Sequence, residues 1–238
     1  MGERGWRLAL YPTYLKFIDL LFPPRCARCQ QLGAHWCGDC RHGVAKIPML
    51  VCPRCGLPEA DNRLCDECRR RPPQFDAARA AFRYSARLRP VIVALKYRSY
   101  VGLAWDLAQH MALAYKRQDW TVDLVVPVPL ADDRLAERGF NQAELLARPL
   151  SWLLRVPLHS WELQRNRATP KQVGRTFEAR YQNIQGAFSA EETLVKGKRM
   201  LLVDDVMTTG ATLNAAAAAL KAAGADTVYA ITVGRATL

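Results

Sequence analysis

An α/β fold is predicted for most of this chain: a parallel sheet with helices on both faces, preceded by a small cysteine-rich domain. Three observations predict it. Beyond residue 73, short β-branched apolar runs alternate with stretches of helical spacing. All eight cysteines lie between Cys26 and Cys68, as four Cys-x-x-Cys pairs. And 238 residues, 50% of them apolar, suffice for one ordinary α/β domain plus a small satellite.

The elements follow in order. Ala78 to Tyr84 reads as a short strand and Leu88 to Tyr97 as a short helix. Val101 to Arg117 carries Leu103, Leu107, Met111 and Tyr115 at helical spacing. Asp123 to Val128 is a buried strand. Asn141 to Leu154 is helical, with Pro149 predicting a kink or a break. Arg199 to Val203 is a second buried strand, Thr212 to Ala223 an alanine-rich helix ended by Gly224, and Thr227 to Val233 the last strand. Repeated strand-then-helix units demand a parallel sheet covered on both faces. Arg69-Arg70-Arg71-Pro72-Pro73 reads as a stiff basic linker, which divides the chain into 1–72 and 73–238.

The formal charge of +12 favours polyanionic partners: nucleic acid, phosphorylated ligands or an anionic membrane surface. No stretch approaches the roughly 20 uncharged apolar residues that span a bilayer. Residues 1–22 carry Arg4, Arg7, Lys16 and Asp19 and make a poor signal peptide. An amphipathic helix from about Tyr14 to Phe22, stopped by Pro23-Pro24, fits better, and a cytoplasmic location is expected.

The cysteines run Cys26-x2-Cys29, Cys37-x2-Cys40, Cys52-x2-Cys55 and Cys65-x2-Cys68. Four such knuckles without a signal peptide point to two zinc sites of four thiolates each, and so to a zinc-binding N-terminal domain. Short loops favour sequential pairing, first four then last four; interleaved pairing stays open. Either way no coordination position is free, so the zinc is structural.

The sharpest motif is M-L-L-V-D-D-V-M-T-T-G-A-T-L, Met200 to Leu213. An apolar strand ends in two carboxylates, and a Thr/Gly turn enters a helix. Amides from Val206 to Gly210 would converge on one spot, with the dipole of a helix beginning near Ala211 behind them. Hydroxyls of Thr208, Thr209 and Thr212 add donors, and Gly210 permits a positive φ. There is no Lys-Ser/Thr of a Walker loop and no three-glycine dinucleotide fingerprint. Carboxylates beside a phosphate cradle must face something else, such as ribose hydroxyls or Mg²⁺. The segment resembles the signature by which type I phosphoribosyltransferases bind phosphoribosyl pyrophosphate (PRPP). That resemblance implies that Asp204 and Asp205 meet the ribose hydroxyls while Val206, Met207, Thr208, Thr209, Gly210, Ala211 and Thr212 hold the 5′-phosphate, with Mg²⁺ accompanying PRPP.

A second loop follows the first buried strand. Val128, Pro129 and Leu130 leave it, and Arg134 and Arg138 precede the helix at Asn141. Open α/β folds bind ligands at the carboxyl ends of their strands. In the phosphoribosyltransferase-type fold this is the pyrophosphate loop, where Arg134 and Arg138 would neutralise pyrophosphate. Leu163 to Phe188, rich in arginine, looks like the mobile loop that closes over PRPP. Arg167, Thr169 and Gln172 are its candidate catalytic residues, and Lys96-Tyr97-Arg98 is a weaker basic candidate.

The cysteine knuckles ending in C-P-R-C-G, then L-K-Y-R, V-P-V-P-L, R-G-F-N-Q-A-E-L-L-A and V-D-D-V-M-T-T-G-A-T, occur in that order. Together they resemble the ComF family of bacterial competence proteins, the match being closer to its GntX-like DNA-utilisation members, from about Leu21 onward. Ser99 departs from the glycine frequent there. The resemblance implies cytoplasmic handling of external DNA, with single-stranded DNA and the uptake machinery at the inner membrane as partners. Arg69 to Arg71 with Arg83, Arg87, Arg89 and Arg98 would form a basic track, and Phe75, Phe82 and Tyr84 are candidates for base stacking. The readings to separate are a working phosphoribosyltransferase, salvage of nucleobases included, and a silent PRPP sensor or DNA-binding scaffold. The chain ends soon after its last strand, so the acceptor site is expected in residues 73–100 or the zinc module.

Overall fold

The computed structural model describes residues 18–98, 100–166 and 184–237. Arg167, Thr169 and Gln172, Ser99 and the start of the expected amphipathic helix lie outside them; residues 18–21 are helical.

The elements are α1 (Gly38–His42), α2 (Asp66–Arg70), β1 (Ala77–Arg83), α3 (Arg89–Tyr97), α4 (Val101–Tyr115), β2 (Leu124–Pro127), α5 (Asp132–Arg138), α6 (Gln142–Leu154), β3 (Leu163–Arg165), β4 (Phe188–Ala190), α7 (Glu192–Val195), β5 (Arg199–Met207), α8 (Ala211–Ala222) and β6 (Thr227–Arg235). β1, β6, β5 and β2 form a parallel sheet in that order, and β3 pairs antiparallel with β4. The alternating α/β pattern thus produces the expected parallel sheet with helices on both faces.

The pleat sorts the core. Leu201, Val203, Ile231 and Val233 point to one face and pack with α3, α4 and α6. Met200, Leu202, Val228 and Ala230 point to the other and pack with α8, β3 and β4. Strand residues 200–203 are wholly buried, each contributing about 1.5–3 kcal/mol by leaving water. Alanines such as Ala216 and Ala217 let α8 lie close on its face.

The cysteine-rich segment wraps the open edge of β1. Cys26 and Cys40 join the α3/α4/α6 face; Cys52, Cys55, Cys65 and Cys68 join the α8 face. Between them the chain bonds to β1: Arg83 N donates to Ala45 O (2.8 Å) and Ala78 N to Arg54 O (2.6 Å). An exposed edge strand invites pairing with other chains, and here the ribbon covers it. Gly56 sits at φ +67° with Ala78 O only 2.6 Å from where a Cβ would be, so the knuckle reaches β1 because it has no side chain there.

Four expectations change in detail. α6 runs through Pro149 without interruption. β5 and β6 continue to Met207 and Arg235, because each offers the other a ladder partner there. Arg69 and Arg70 are not linker but the last turn of α2, paired with Asp66 and Glu67. Phe75 and Phe82 are each 1% exposed, closed to base stacking by the apolar faces they fill.

Candidate functional site

The helices that follow β2 and β5 leave in opposite directions. α6 covers one face and α8 the other, so the loops after β2 and β5 diverge between adjacent strands. Such a switch point opens a crevice at the carboxyl edge of the sheet, where ligands bind. Both motifs singled out in the sequence meet there.

After β5 the turn proper is Thr208 to Gly210. Val206 and Met207 belong to the strand, opposite Gly234 and Arg235. Gly210 has φ +80°, the left-handed conformation that turns the chain into α8. Thr209 Oγ1 accepts from Ala211 N (3.3 Å) and so steadies the first turn of α8. Thr208, Thr209 and Thr212 are half-buried at the rim.

The two acids diverge because strand neighbours point to opposite faces. Asp205, 4% exposed, turns toward α3, where Lys96 Nζ lies 2.6 Å from its Oδ2. Asp204 shares the face of Met200 and Leu202, and its Oδ1 accepts from Asp205 N (2.8 Å). Burial, with Asp205 beside it, pushes the Asp204 carboxyl well above the usual carboxylate range. Burial works against the charge on Lys96, but Asp205 and Asp204 more than compensate and raise it.

After β2, Val128 N still bonds Val203 O (2.9 Å), holding this loop against β5. Pro129 and Leu130 are half-buried and lead into α5, a helix the sequence reading missed because it is only seven residues long. Arg134 and Arg138 stand on α5. Arg138 Nη1 donates to Gln142 Oε1 (2.8 Å), its guanidinium carbon lies 5.1 Å from the centre of the Tyr97 ring, and its Nε is buried with no acceptor among the described residues. Asn141 caps α6 by accepting from Ala143 N (3.0 Å) and donates to Val128 O (3.0 Å).

Two cations joined the site with little warning from the sequence. Lys96 was a weak candidate; only the docking of α3 on the sheet places it at Asp205. Arg165, at the end of β3, is buried enough to lower its pKa, and it feels the charges of Arg134, Asp133, Asp204 and Asp132. Its guanidinium lies 5.5 Å over the Phe188 ring. The crevice is thus two carboxylates ringed by Lys96, Arg134, Arg138 and Arg165, next to a helix N-terminus: a site shaped for a polyanion carrying hydroxyls.

The thiolates gather sequentially, Cys26, Cys29, Cys37 and Cys40 in one cluster and Cys52, Cys55, Cys65 and Cys68 in the other, each within 4.8 Å. Sulfurs about 2.3 Å from a tetrahedral zinc lie about 3.8 Å apart. Cys29–Cys37 is 3.7 Å and Cys55–Cys65 is 3.6 Å, so the donor sets fit zinc. Bonding with Cys68 pulls the Cys55 thiol down to about 4, aided by Arg235 and opposed by burial.

Known proteins agree with this construction. A double zinc ribbon domain model matches residues 17–69, and a phosphoribosyl transferase domain model matches residues 76–236. Fold and site therefore define a phosphoribosyl transferase domain carrying two four-cysteine zinc-binding sites on its sheet edge. The chain belongs to the ComF family within that class. It is 35% identical to the DNA utilization protein YhgH of Escherichia coli O6:H1 over 88% of this chain and 96% of that one. Competence protein F of Haemophilus influenzae is 30% identical over 81% and 86%, and competence protein ComFC of Bacillus subtilis 28% over 77% of each. Among the described residues no helix is long and apolar enough to cross a membrane.

Proposed function

We propose that the crevice between the β2 and β5 loops binds PRPP with Mg²⁺, and that the protein serves cytoplasmic handling of external DNA. The observation that carries the first part is the meeting of two acids and four cations at the switch point, beside the amides that open α8. In this reading Thr208 to Thr212 cradle the 5′-phosphate at the N-terminus of α8. Asp204 faces the ribose hydroxyls. Lys96 and Arg138 take the pyrophosphate, with Arg134 and Arg165 on its outer side. Mg²⁺ accompanying PRPP would be held on the crevice side through Asp204 and would offset pyrophosphate charge, while Asp205 stays paired with Lys96. The second part rests on the names of the relatives, which point to DNA utilisation and competence.

Calorimetry decides the ligand. Wild type binds PRPP–Mg²⁺, and Asp204→Ala/Asp205→Ala loses at least about 100-fold in affinity, as expected when buried polar groups lose their partners. Because burial raises Asp204 toward protonation, binding that needs its carboxylate releases a proton, and affinity climbs with pH. Wild-type chain that takes up no PRPP would sink the reading. Release of pyrophosphate with added nucleobases separates turnover from sensing.

A second reading, a scaffold for single-stranded DNA, is favoured by a groove of about 220 Å³ where the ribbon meets α4, lined by Lys46, Arg79, His110 and Arg117. Lys46 and Arg117 are exposed there. Lys46→Ala/Arg117→Ala should flatten the salt dependence of single-stranded DNA binding by about 1.4 ions, roughly 0.7 for each lost phosphate contact. An unchanged slope would remove the groove from consideration.

A further inference from the structure

Arg235 is the last residue of β6, 6% exposed, and among the described residues no carboxylate pairs with it. Its bonds run in two directions. Nε donates to Cys55 O (3.2 Å) and Nη2 to Cys55 Sγ (3.8 Å). Nη1 reaches Thr208 O, Ala236 O (2.7 Å) and Met207 O (3.4 Å). One side chain therefore joins a zinc ligand of the second site to the backbone of the turn after β5.

We propose that Arg235 is a positioning residue through which the second zinc centre sets the geometry of the Thr208–Gly210 turn. Two physical arguments support this. A buried guanidinium is costly unless an anion balances it. Four thiolates around Zn²⁺ form a doubly negative centre, and Arg235 is the cation placed against it. Loss of the metal would free Cys55, the residue that Arg235 grips at both its carbonyl and its sulfur. The second argument is peptide geometry. In a planar trans peptide the carbonyl and the following amide point in opposite directions. Arg235 draws Thr208 O toward the ribbon, so Thr209 N–H is turned away from the ribbon. Among the described residues neither the Thr208 nor the Thr209 amide has an acceptor. A cavity of about 110 Å³ lined by Cys55, Cys68, Phe75, Met207 and Gly210 leaves the turn room to collapse once Arg235 lets go.

The functional consequence rests on the reading of this turn as the 5′-phosphate cradle, so the test separates the two. Hydrogen–deuterium exchange of peptides spanning 206–213 is measured on the full zinc-loaded chain, alongside zinc content and PRPP–Mg²⁺ affinity. Arg235→Gln should speed exchange in 206–213 about tenfold relative to the rest of β5, and weaken PRPP by a similar factor, as expected for a lost charged hydrogen bond. Arg235→Lys, which keeps the charge without the fork, should recover part of both. Asp123→Asn, at the opposite end of the sheet, should leave 206–213 unchanged. Chelating zinc from wild type should reproduce the Arg235→Gln exchange, and this arm decides the matter even if Arg235→Gln does not fold. Exchange in 206–213 that ignores both Arg235→Gln and zinc removal, or rises no more than the rest of the sheet, overturns the proposal. If wild type binds no PRPP while the exchange result holds, the coupling stands and the ligand assignment falls.

Discussion

The two faces of the sheet each carry one zinc site, alike in ligand number and spacing yet differently placed. On the α3/α4/α6 face, Cys29 is exposed and Cys37 half-buried, and the polar group seen reaching a sulfur from outside the cluster is Arg28, on Cys40 at 3.8 Å. On the α8 face all four cysteines are buried, and Arg235 links Cys55 to the turn after β5. The acids divide in the same way, Asp205 toward the first face and Asp204 toward the second. Four identical ligands can therefore be a clamp in one place and part of a binding site in another. What differs is the degree of burial and what the surrounding polar groups touch.

Cysteine substitutions give the largest contrast. Cys68→Ser should lose one zinc per chain together with most PRPP binding, since structural zinc sites are worth about 10 kcal/mol or more in isolated zinc-finger peptides. Cys29→Ser, at an exposed position, should leave PRPP affinity within about twofold while lowering Tm. Equal losses in the two variants, by metal analysis and calorimetry, would erase the distinction between the faces.

Lys96→Met probes the first face. It strands the Asp205 carboxylate and should cost about 3–5 kcal/mol in denaturant unfolding, whereas Lys96→Met/Asp205→Leu should regain most of it. Gly210→Ala probes the second. A side chain at φ +80° costs about 1–2 kcal/mol, with Met207 Cε, 2.7 Å from the new Cβ, able to move aside. Its effect on PRPP affinity should exceed its effect on Tm, because the strain falls on the turn itself.

The smallest effect lies at the far end of the sheet. Arg199 bonds Asp123 (2.8 Å) and holds its carboxyl down at about 2. A depressed carboxyl contributes stability that is fully present above its unfolded value of about 3.9 and fades as pH falls through about 2. Both partners are more than a third exposed, so screening keeps the gain small. Asp123→Asn should therefore shift unfolding slightly at pH 7, less near pH 2 and not at all well below it, with neither face responding.

The strands, the long helices and the turn before α8 were legible because each rests on near neighbours: apolar runs, helical spacing, and a glycine where φ must be positive. Short elements were not. α5, with seven residues, and the three-residue strands β3 and β4 have too few positions to show a period, and the two strands exist because α8 and each other hold them. Strand ends shifted outward for the same reason, since Met207 and Arg235 extend their strands only as each other's partners.

Chemistry carried by spacing along the chain could be assigned without coordinates: paired knuckles that hold zinc, adjacent acids, a Thr-Thr-Gly turn into a helix. Partnerships between distant residues could not. Nothing in the local pattern tells that Lys96 will neutralise Asp205, that Arg165 will face Asp204, or that Arg235 will bridge Cys55 and Thr208, 180 and 27 residues away. Such pairings follow from which face each pleated residue takes and which helix or ribbon covers that face. Those depend on the packed sheet as a whole, and no short window of sequence contains them.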